Sequence, residues 1–342
     1  MIPVCCLVAL VSWPATRPAA VVADLDTLLR SCARLTDLEI ADAAAGKVVT
    51  KLLQTADERE MAVFGIVQVD ATREMFVQSL RDIERFKRSS EVLEIGKLTS
   101  RPIGRDFDRL VLEPSDIEAL RGCRPGLCDM KLATSAILRF ANEINWASSD
   151  YSERTNDLFR RILLDYALQY LARGNNALIE YDDRRGAIRL AEEFNALLAQ
   201  STCVNDLAPE FGKYLSEFPS GRPAGAENFI YWSKESFGLK PVISMTHVTI
   251  YQRAGGPVLA ASKQIYANHY FDASLGLTFF FEQGAGKAAG SYLIYLNRSR
   301  VDALGGGFSK LKRTIVAGDL KAGLERNLRL AKRKLEASTS RR

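Results

Sequence analysis

The chain has 342 residues, of which 47% are hydrophobic and 25% are charged, with a net charge of +5. This is the composition of a globular protein, and it excludes a chain that is disordered along most of its length. The basic excess is small and dispersed, which argues against a protein that binds nucleic acid. The length is sufficient for one large or two medium-sized domains.

The N-terminal segment has the pattern of an export signal. An apolar run at residues 2–15 is too short to span a bilayer, and Val21, Val22 and Ala23 fit the small-residue pattern of a signal-peptidase site. We interpret residues 1–23 as a cleaved signal peptide, although only Met1 precedes the apolar run and the usual basic segment is missing. The mature protein is therefore expected in the periplasm or outside the cell.

Four cysteines follow this segment, Cys32, Cys123, Cys128 and Cys203. An oxidising compartment would allow them three pairings. Between the middle two, Pro125 and Gly126 occupy the central positions of a type II turn, which would bring both sulfurs close together. We predict a Cys123–Cys128 disulfide and, by elimination, a Cys32–Cys203 disulfide. A zinc site is the alternative, but it lacks a second ligand pair at suitable spacing.

The first 220 residues divide into a mixed part, 24–131, and a helical part, 132–220. In the mixed part we predict short helices in 24–45, strands at 47–54 and 61–70, a helix from the Thr72 cap to about 86, strands at 92–98 and 107–112, and a short helix from Pro114. In the helical part we predict helices at 132–146, 154–173, 187–200 and 209–218. Residues 220–225, rich in Gly and Pro, form the linker that follows.

The final part, 221–337, carries a meander that ends in a long helix, with 338–342 as a tail. Segments 242–252, 258–271, 275–282 and 291–298 are rich in Val, Ile, Tyr and Phe and are separated by Gly, Ala and Pro. Residues 308–335 repeat apolar positions every three or four residues, with basic residues on the other face. That basic face predicts either a solvated helix surface or contact with an anionic membrane. Gly305, Gly306 and Gly307 are interpreted as a hinge, since no phosphate-binding motif is present.

The strand, Asp70-Ala71 corner and capped helix of segment 64–86 resemble the start of START-like proteins, the lipid-transfer and polyketide-cyclase superfamily. The order of elements is also similar to their helix-grip fold, over residues 47–122 and 227–337. The resemblance implies an α+β fold in which an antiparallel sheet grips the C-terminal helix, with an apolar cavity between them and residues 132–218 as a helical insertion. This superfamily has no invariant catalytic motif, so no functional residue is carried over.

Eight side chains of the meander are candidates for lining such a cavity. They are Trp232, His247, Tyr251, Gln264, Tyr266, His269, Tyr270 and Arg298. The aromatic residues combine an apolar body with a polar tip, and Arg298 with Arg300 would clamp an anionic headgroup. Ordinary sheet packing, and an ion pair with Asp302, are the alternatives.

The two histidines are the only candidate general bases, with Glu282 or Asp272 as an orienting partner. A hydrogen-bonded structural histidine is the alternative for each. The sequence contains no metal-binding spacing, nucleophile elbow, phosphate loop or dinucleotide motif. We therefore expect no metal and no cofactor.

These observations favour an exported protein that binds or carries a hydrophobic or amphipathic small molecule, a lipid in particular, without nucleic acid. The first alternative is a cyclase, isomerase or hydrolase that uses His247 or His269. The second is a non-catalytic interaction module whose sheet is solid core, with Phe279, Phe281 and Tyr295 filling the space beneath the closing helix.

Overall fold

The computed structural model describes residues 25–236, 239–253, 255–282, 290–302 and 309–339. The predicted signal peptide, Gly305, Gly306 and Gly307 lie outside the described residues. The strands are β1 Val49–Leu53, β2 Glu60–Val69, β3 Val92–Lys97, β4 Glu180–Tyr181, β5 Ile188–Arg189, β6 Ala226–Glu235, β7 Val242–Gln252, β8 Val258–Ala267, β9 Phe271–Phe281 and β10 Ser291–Val301. The α-helices are α1 Asp37–Ala44, α2 Arg73–Arg81, α3 Ile83–Lys87, α4 Pro114–Arg121, α5 Thr134–Glu143, α6 Tyr151–Arg173, α7 Leu190–Ala199, α8 Thr202–Leu207, α9 Pro209–Glu217 and α10 Ser309–Thr339.

Eight of these strands form one antiparallel sheet in the order β1-β2-β10-β9-β8-β7-β6-β3. The chain enters at β1 on one edge and turns into β2. It then leaves for α2, α3 and β3 at the far edge, and returns through β6 to β10, which pairs with β2. The meander is confirmed, and β6, which was not predicted separately, extends it. Strands β4 and β5 pair only with each other.

Helix α10 lies on β1 and β2, against the face that also carries α2 and α3; we call this the grip face. Leu324 and Leu328 of α10 pack directly over Gly65 of β2, where a Cβ atom would lie 2.5 Å from Leu328 Cδ1. Thr72 caps α2 as predicted, its hydroxyl accepting a hydrogen bond from the Met75 backbone N–H. The fold is therefore α+β and helix-grip-like, with a long terminal helix on a large antiparallel sheet.

The helical region between β3 and β6 covers the other face of the sheet, which we call the block face. Phe140, Phe159 and Tyr170 pack there beneath Ile243 and Ile265. Beside them, a second cluster joins α7 and α9 to the N-terminal segment and to β9; its members include Phe194, Leu197, Phe211, Leu275, Leu277 and Phe279. The strands of the meander thus contact apolar core on both faces, since Val248, Val258 and Phe280 are buried on the grip face, which explains why their sequences do not alternate cleanly.

Two details of the sequence-based prediction are corrected. Residues 107–112 do not form a strand: a 3-10 helix covers Gly104–Phe107, and the chain then runs extended with Leu110 and Leu112 buried in the core of the helical region. The predicted helix 72–86 is interrupted at Asp82, whose ψ of 59° separates α2 from α3.

Both predicted cysteine pairs lie at disulfide distance. The Cα atoms of Cys123 and Cys128 are 4.5 Å apart, across a turn in which Gly126 has a φ of +77°. Those of Cys32 and Cys203 are 5.8 Å apart and join the N-terminal segment to α8. Such pairs are compatible with an oxidising environment.

A buried charge network fastens the helical region to the sheet. Lys131, which precedes α5, places its Nζ 2.8 Å from Asp272 of β9, and Arg184 donates to both oxygens of the same carboxylate at 2.8 and 2.9 Å. Asp272 is fully buried. Because a buried carboxylate is stable only when paired, this network fixes the position of the two segments relative to β9.

Candidate functional site

Six neutral polar side chains cross the middle of the grip face, and we call them the polar strip. They are Ser262 and Gln264 of β8, Ser274 and Thr278 of β9, and Tyr295 and Asn297 of β10. Strand alternation brings them to one face, since Tyr295 pairs with Thr278 and Asn297 with Gly276, which in turn lies opposite Ser262. The strip is therefore continuous across three adjacent strands.

All six residues of the polar strip remain partly exposed. Strands β8, β9 and β10 are interior strands, flanked by β7 on one side and β2 on the other, so this exposure does not come from a sheet edge. Helix α10 covers β1 and β2, while Phe76 of α2 stacks on Phe280 of β9 with ring centroids 4.8 Å apart. The polar strip thus lies on the part of the grip face that these helices leave partly exposed, and we call this part the cleft.

Half of the side chains in the polar strip form hydrogen bonds within the protein, and half do not. The Asn297 amide donates to Ser274 Oγ at 3.1 Å, and Ser299 Oγ donates back to Asn297 Oδ1 at 2.8 Å. Within the described chain, the side chains of Ser262, Gln264 and Thr278 have no hydrogen-bond partner. Polar groups in a partly buried position bind water or a ligand when the protein offers them nothing.

An ion pair forms one wall of the cleft. Lys87, the last residue of α3, lies 2.9 Å from Glu235 Oε1 and donates to the Tyr231 hydroxyl at 3.3 Å, while Ser233 Oγ donates to Glu235 at 2.6 Å. Burial is the largest single effect on the pKa of Lys87 and lowers it, but the charges and hydrogen bonds of Glu235 and Tyr231 together outweigh burial, so the net shift is upward. Burial likewise raises the pKa of Glu235, and the charge of Lys87 together with the hydrogen bonds from Ser233 and Lys87 reverses that shift. Each charge is therefore committed to the other.

The rest of the cleft is neutral or apolar. Burial raises the pKa of Tyr295, so its phenol stays protonated and keeps a donor. Val248 and Ile250 of β7 and Phe229 of β6 continue the floor beyond the polar strip. The arrangement suits a ligand with an apolar body and uncharged hydroxyl, carbonyl or amide groups.

Of the eight predicted lining residues, only Gln264 lies on the grip face. Trp232, Tyr251 and Tyr266 point into the block face, with Trp232 donating to the Asp106 carbonyl and Tyr251 to Glu210. Their placement removes them from the cleft. The physical reason is the two-residue period of a strand: a bulge between Met245 and Thr246 shifts the β7–β8 register, which places Gln264 and Tyr266 on opposite faces.

His247 is a structural residue of the block face. Its Nδ1 lies 2.8 Å from the Tyr170 hydroxyl and its Nε2 lies 3.0 Å from Asn228 Oδ1, so Nε2 carries the proton and Nδ1 accepts from the tyrosine. Burial, and then the neighbouring Lys263, hold its pKa well below the usual value. The imidazole is fully used by these contacts.

The remaining candidates also find partners away from the cleft. His269 Nε2 lies 3.1 Å from both oxygens of the buried Asp116, and the Tyr270 hydroxyl accepts from the Lys240 backbone N–H. Arg298 pairs with Glu60. The expected orienting partner Asp272 serves Lys131 instead. Neither histidine therefore supplies a base to the cleft, and Arg298 does not form the predicted headgroup clamp.

The structure also shows where the three aromatic side chains lie that would fill the space beneath α10 if the sheet were solid core. Phe279 and Phe281 belong to the block face, and Tyr295 alone lies on the grip face. Its ring covers Gly276, where a Cβ atom would lie 2.7 Å from the Tyr295 hydroxyl. One aromatic ring therefore narrows the cleft at β9.

Two further observations concern the described part of the chain. No three His, Cys, Asp or Glu side chains within it gather into a set suited to a metal ion. Among its helices, none combines the length and apolar composition needed to cross a bilayer.

Comparison with known proteins adds one distant structural likeness. No protein-family model matches this chain, and no curated protein matches it. Among solved structures, it is similar to the crystal structure of the di-domain ARO/CYC StfQ from the steffimycin biosynthetic pathway, with 14% sequence identity, coverage of 81% of this chain and 99% of that chain, and a TM-score of 0.23. That score is too low to carry an argument, so the description of the fold rests on the strand order and on α10.

Proposed function

We propose that this protein binds an uncharged amphipathic small molecule, a lipid in particular, in the cleft of the grip face. The observation that carries the proposal is the unpartnered half of the polar strip: Ser262, Gln264 and Thr278 lie in the centre of a covered sheet face, yet remain accessible. Water would satisfy these groups, but a ligand with hydroxyl or carbonyl groups would satisfy them and also cover the surrounding apolar surface.

The charged side chains that line the cleft indicate which ligand charge it can accept. Beside the polar strip, Glu235 already neutralises Lys87, and the other cation of the described lining, Lys97, lies at the β3 edge of the sheet with its Nζ 4.3 Å from the Phe229 ring centroid. A buried carboxylate or phosphate would need its own counter-ion, so an anionic ligand would be disfavoured. We also propose that the protein works outside the cytoplasm, because four of its six cysteines are placed for two disulfides.

Native mass spectrometry of the purified protein, before and after organic extraction, tests for a retained ligand. The extracted protein is then titrated with a fluorescent fatty alcohol and with the fatty acid of the same chain length. We expect the alcohol to bind at least about ten-fold more tightly, because the acid would bring an unpaired carboxylate into the cleft. Absence of both a retained ligand and any uptake would sink the proposal, and preference for the acid would sink its uncharged part.

A matched pair of variants locates the binding. Ser262→Leu places three extra carbons on the floor of the cleft and should reduce uptake of the alcohol by about ten-fold or more. Ser152→Leu makes the same change at an exposed position of α6 and should leave uptake unchanged. Equal uptake by the two variants would mean that the probe binds elsewhere.

A further inference from the structure

A group of basic side chains, three exposed arginines and one half-buried lysine, lies where α3 ends against α10. Its members are Arg85 and Arg88 from the end of α3 and Arg333 and Lys334 from the last turns of α10, and we call them the basic patch. The two helices meet through Lys334, whose Nζ donates to the backbone carbonyls of Arg85 and Phe86 at 3.2 and 2.8 Å and also to that of Arg88.

The lysine of this patch has a structural explanation. Its ammonium group caps the C-terminal carbonyls of α3, where a cation is favoured by the helix dipole. The three arginines do not share this role. Within the described residues, their guanidinium groups donate no hydrogen bond and form no ion pair, and all three are exposed.

Three carboxylates near the patch are paired with other cations. Glu84 lies 3.5 Å from Arg109, Glu91 lies 3.6 Å from Arg326, and Glu336 lies 2.7 Å from Lys332. Asp82, exposed three residues before Arg85, has no side-chain partner in the described chain, so the four cations of the patch retain a net positive charge. Burial lowers the pKa of Lys334, and the charges of Arg88 and Arg85 lower it further, as expected for neighbouring cations.

We propose that the basic patch docks this protein on the surface of an anionic lipid bilayer. Arg85, Arg88 and Lys334 lie together where the two helix ends meet, and Arg333 precedes Lys334 in α10. Such a group suits several lipid headgroups rather than the long track of phosphates in a nucleic acid. The position also favours a membrane: Arg85 and Arg88 flank Phe86 and Lys87, which belong to the grip-face core and to the cleft wall. A bilayer bound at the patch would therefore lie next to the cleft.

Sedimentation with lipid vesicles tests this docking on the full chain. Vesicles of phosphatidylcholine alone are compared with vesicles of equal parts phosphatidylcholine and phosphatidylglycerol. The wild-type protein should bind the anionic vesicles and release them at high salt. Each cation near an anionic surface strengthens binding about five-fold, so the double variant Arg85→Gln/Arg88→Gln should bind about 25-fold more weakly.

The control is a second pair of exposed arginines without ion pairs in the described chain. Arg101→Gln/Arg105→Gln removes the same net charge from the 3-10 helix and the loop before it, and it should weaken vesicle binding far less. Equal losses in the two double variants would overturn the proposal, because binding would then depend only on net charge. Circular dichroism checks that both variants are folded.

Two further experiments distinguish membrane docking from nucleic-acid binding and from ligand uptake in the cleft. A duplex oligonucleotide replaces the vesicles, and if it binds more tightly than they do and loses affinity only in Arg85→Gln/Arg88→Gln, the patch binds nucleic acid and the bilayer proposal fails. The Ser262→Leu variant should bind anionic vesicles as the wild type does, since the patch does not depend on an occupied cleft. Failure of ligand uptake and failure of docking are therefore distinguishable.

Discussion

Polar side chains are buried and hydrogen-bonded on one face of the sheet and partly exposed on the other. On the block face, His247 is held by Tyr170 and Asn228, and Thr249 Oγ1 donates to Asn228 Oδ1 at 2.8 Å. On the grip face, Thr278 and its neighbours in the polar strip remain partly exposed, and half of them lack partners in the described chain. The same sheet therefore carries a sealed polar network on the block face of β6 and β7 and an available one on the grip face of β8 to β10.

This difference teaches where to look for function in a sheet covered on both sides. A polar residue that is buried and fully partnered has a structural explanation, whatever its chemistry. A polar residue that is accessible in the centre of a covered sheet has no such structural explanation. By this criterion the histidines belong to the scaffold, and the small neutral residues of β8 and β9 belong to the candidate site.

The largest expected effect concerns Lys263, a lysine sealed into the block face. Its side chain is 2% exposed and donates to Asn175 Oδ1, and its Nζ lies 4.5 to 5.3 Å from the ring centroids of Tyr170, Phe194 and Phe218. No carboxylate in the described chain pairs with it. Burial lowers its pKa from 10.5 to about 7.

Between about pH 7 and 10.5 the unfolded chain therefore holds a proton on Lys263 that the folded chain does not hold. Stability contributed by this group rises with pH across that window, by about 5 kcal/mol, and is lost as pH falls. Urea unfolding as a function of pH should show this rise in the wild type and its absence in Lys263→Met. The exposed Lys213→Met variant of α9 is the control and should keep the wild-type slope; an unchanged slope in Lys263→Met would assign the titration to another group.

The second largest effect tests how closely α10 packs against β2 on the grip face. In Gly65→Ala, the new Cβ atom would lie 2.5 Å from Leu328 Cδ1 and 2.9 Å from Leu324 Cδ2, so both leucines must move. We expect the free energy of unfolding to fall by about 1–3 kcal/mol, as for other overpacked contacts. Gly104→Ala, whose Cβ atom would meet nothing within 4 Å, should change stability little. If Gly65→Ala proves as harmless as this control in urea unfolding, α10 does not lie on β2 as described.

The sequence was sufficient to predict the meander and its terminal helix. Strands β7 to β10 are long runs of Val, Ile, Tyr and Phe bounded by turn residues, and α10 repeats its apolar positions at helical spacing. The cap at Thr72 and the turn at Gly126 were predictable because each depends only on neighbouring residues. Local chemistry was enough for these features.

The face of each strand was not predictable in the same way. The β7–β8 bulge shifts the register, and a one-residue shift exchanges the two faces of a strand. Aromatic residues and histidines drew attention as site residues because of their chemistry, but their partners on the block face come from helices distant in sequence. The polar strip consists mainly of Ser, Thr, Asn and Gln, which carry no catalytic signature. Alternation along β8 and β9, counted from a known register, was the signal that could have found it.

The smallest expected effect gives the most direct test of the difference between the two faces, because a threonine is replaced by valine once on each face. Thr249→Val removes a hydroxyl that is 2.8 Å from its acceptor Asn228 Oδ1 and should cost about 0.5–1.5 kcal/mol of stability without affecting ligand uptake. Thr278→Val removes a hydroxyl that has no partner in the described chain, so stability should stay the same. Its affinity for the fatty alcohol should fall about three- to ten-fold, the value of one neutral hydrogen bond. Urea unfolding and probe titration measure both quantities on both variants. If Thr278→Val lost stability and kept its affinity, the hydroxyl would be part of the scaffold, and the distinction between a sealed and an available face would fail at its central residue.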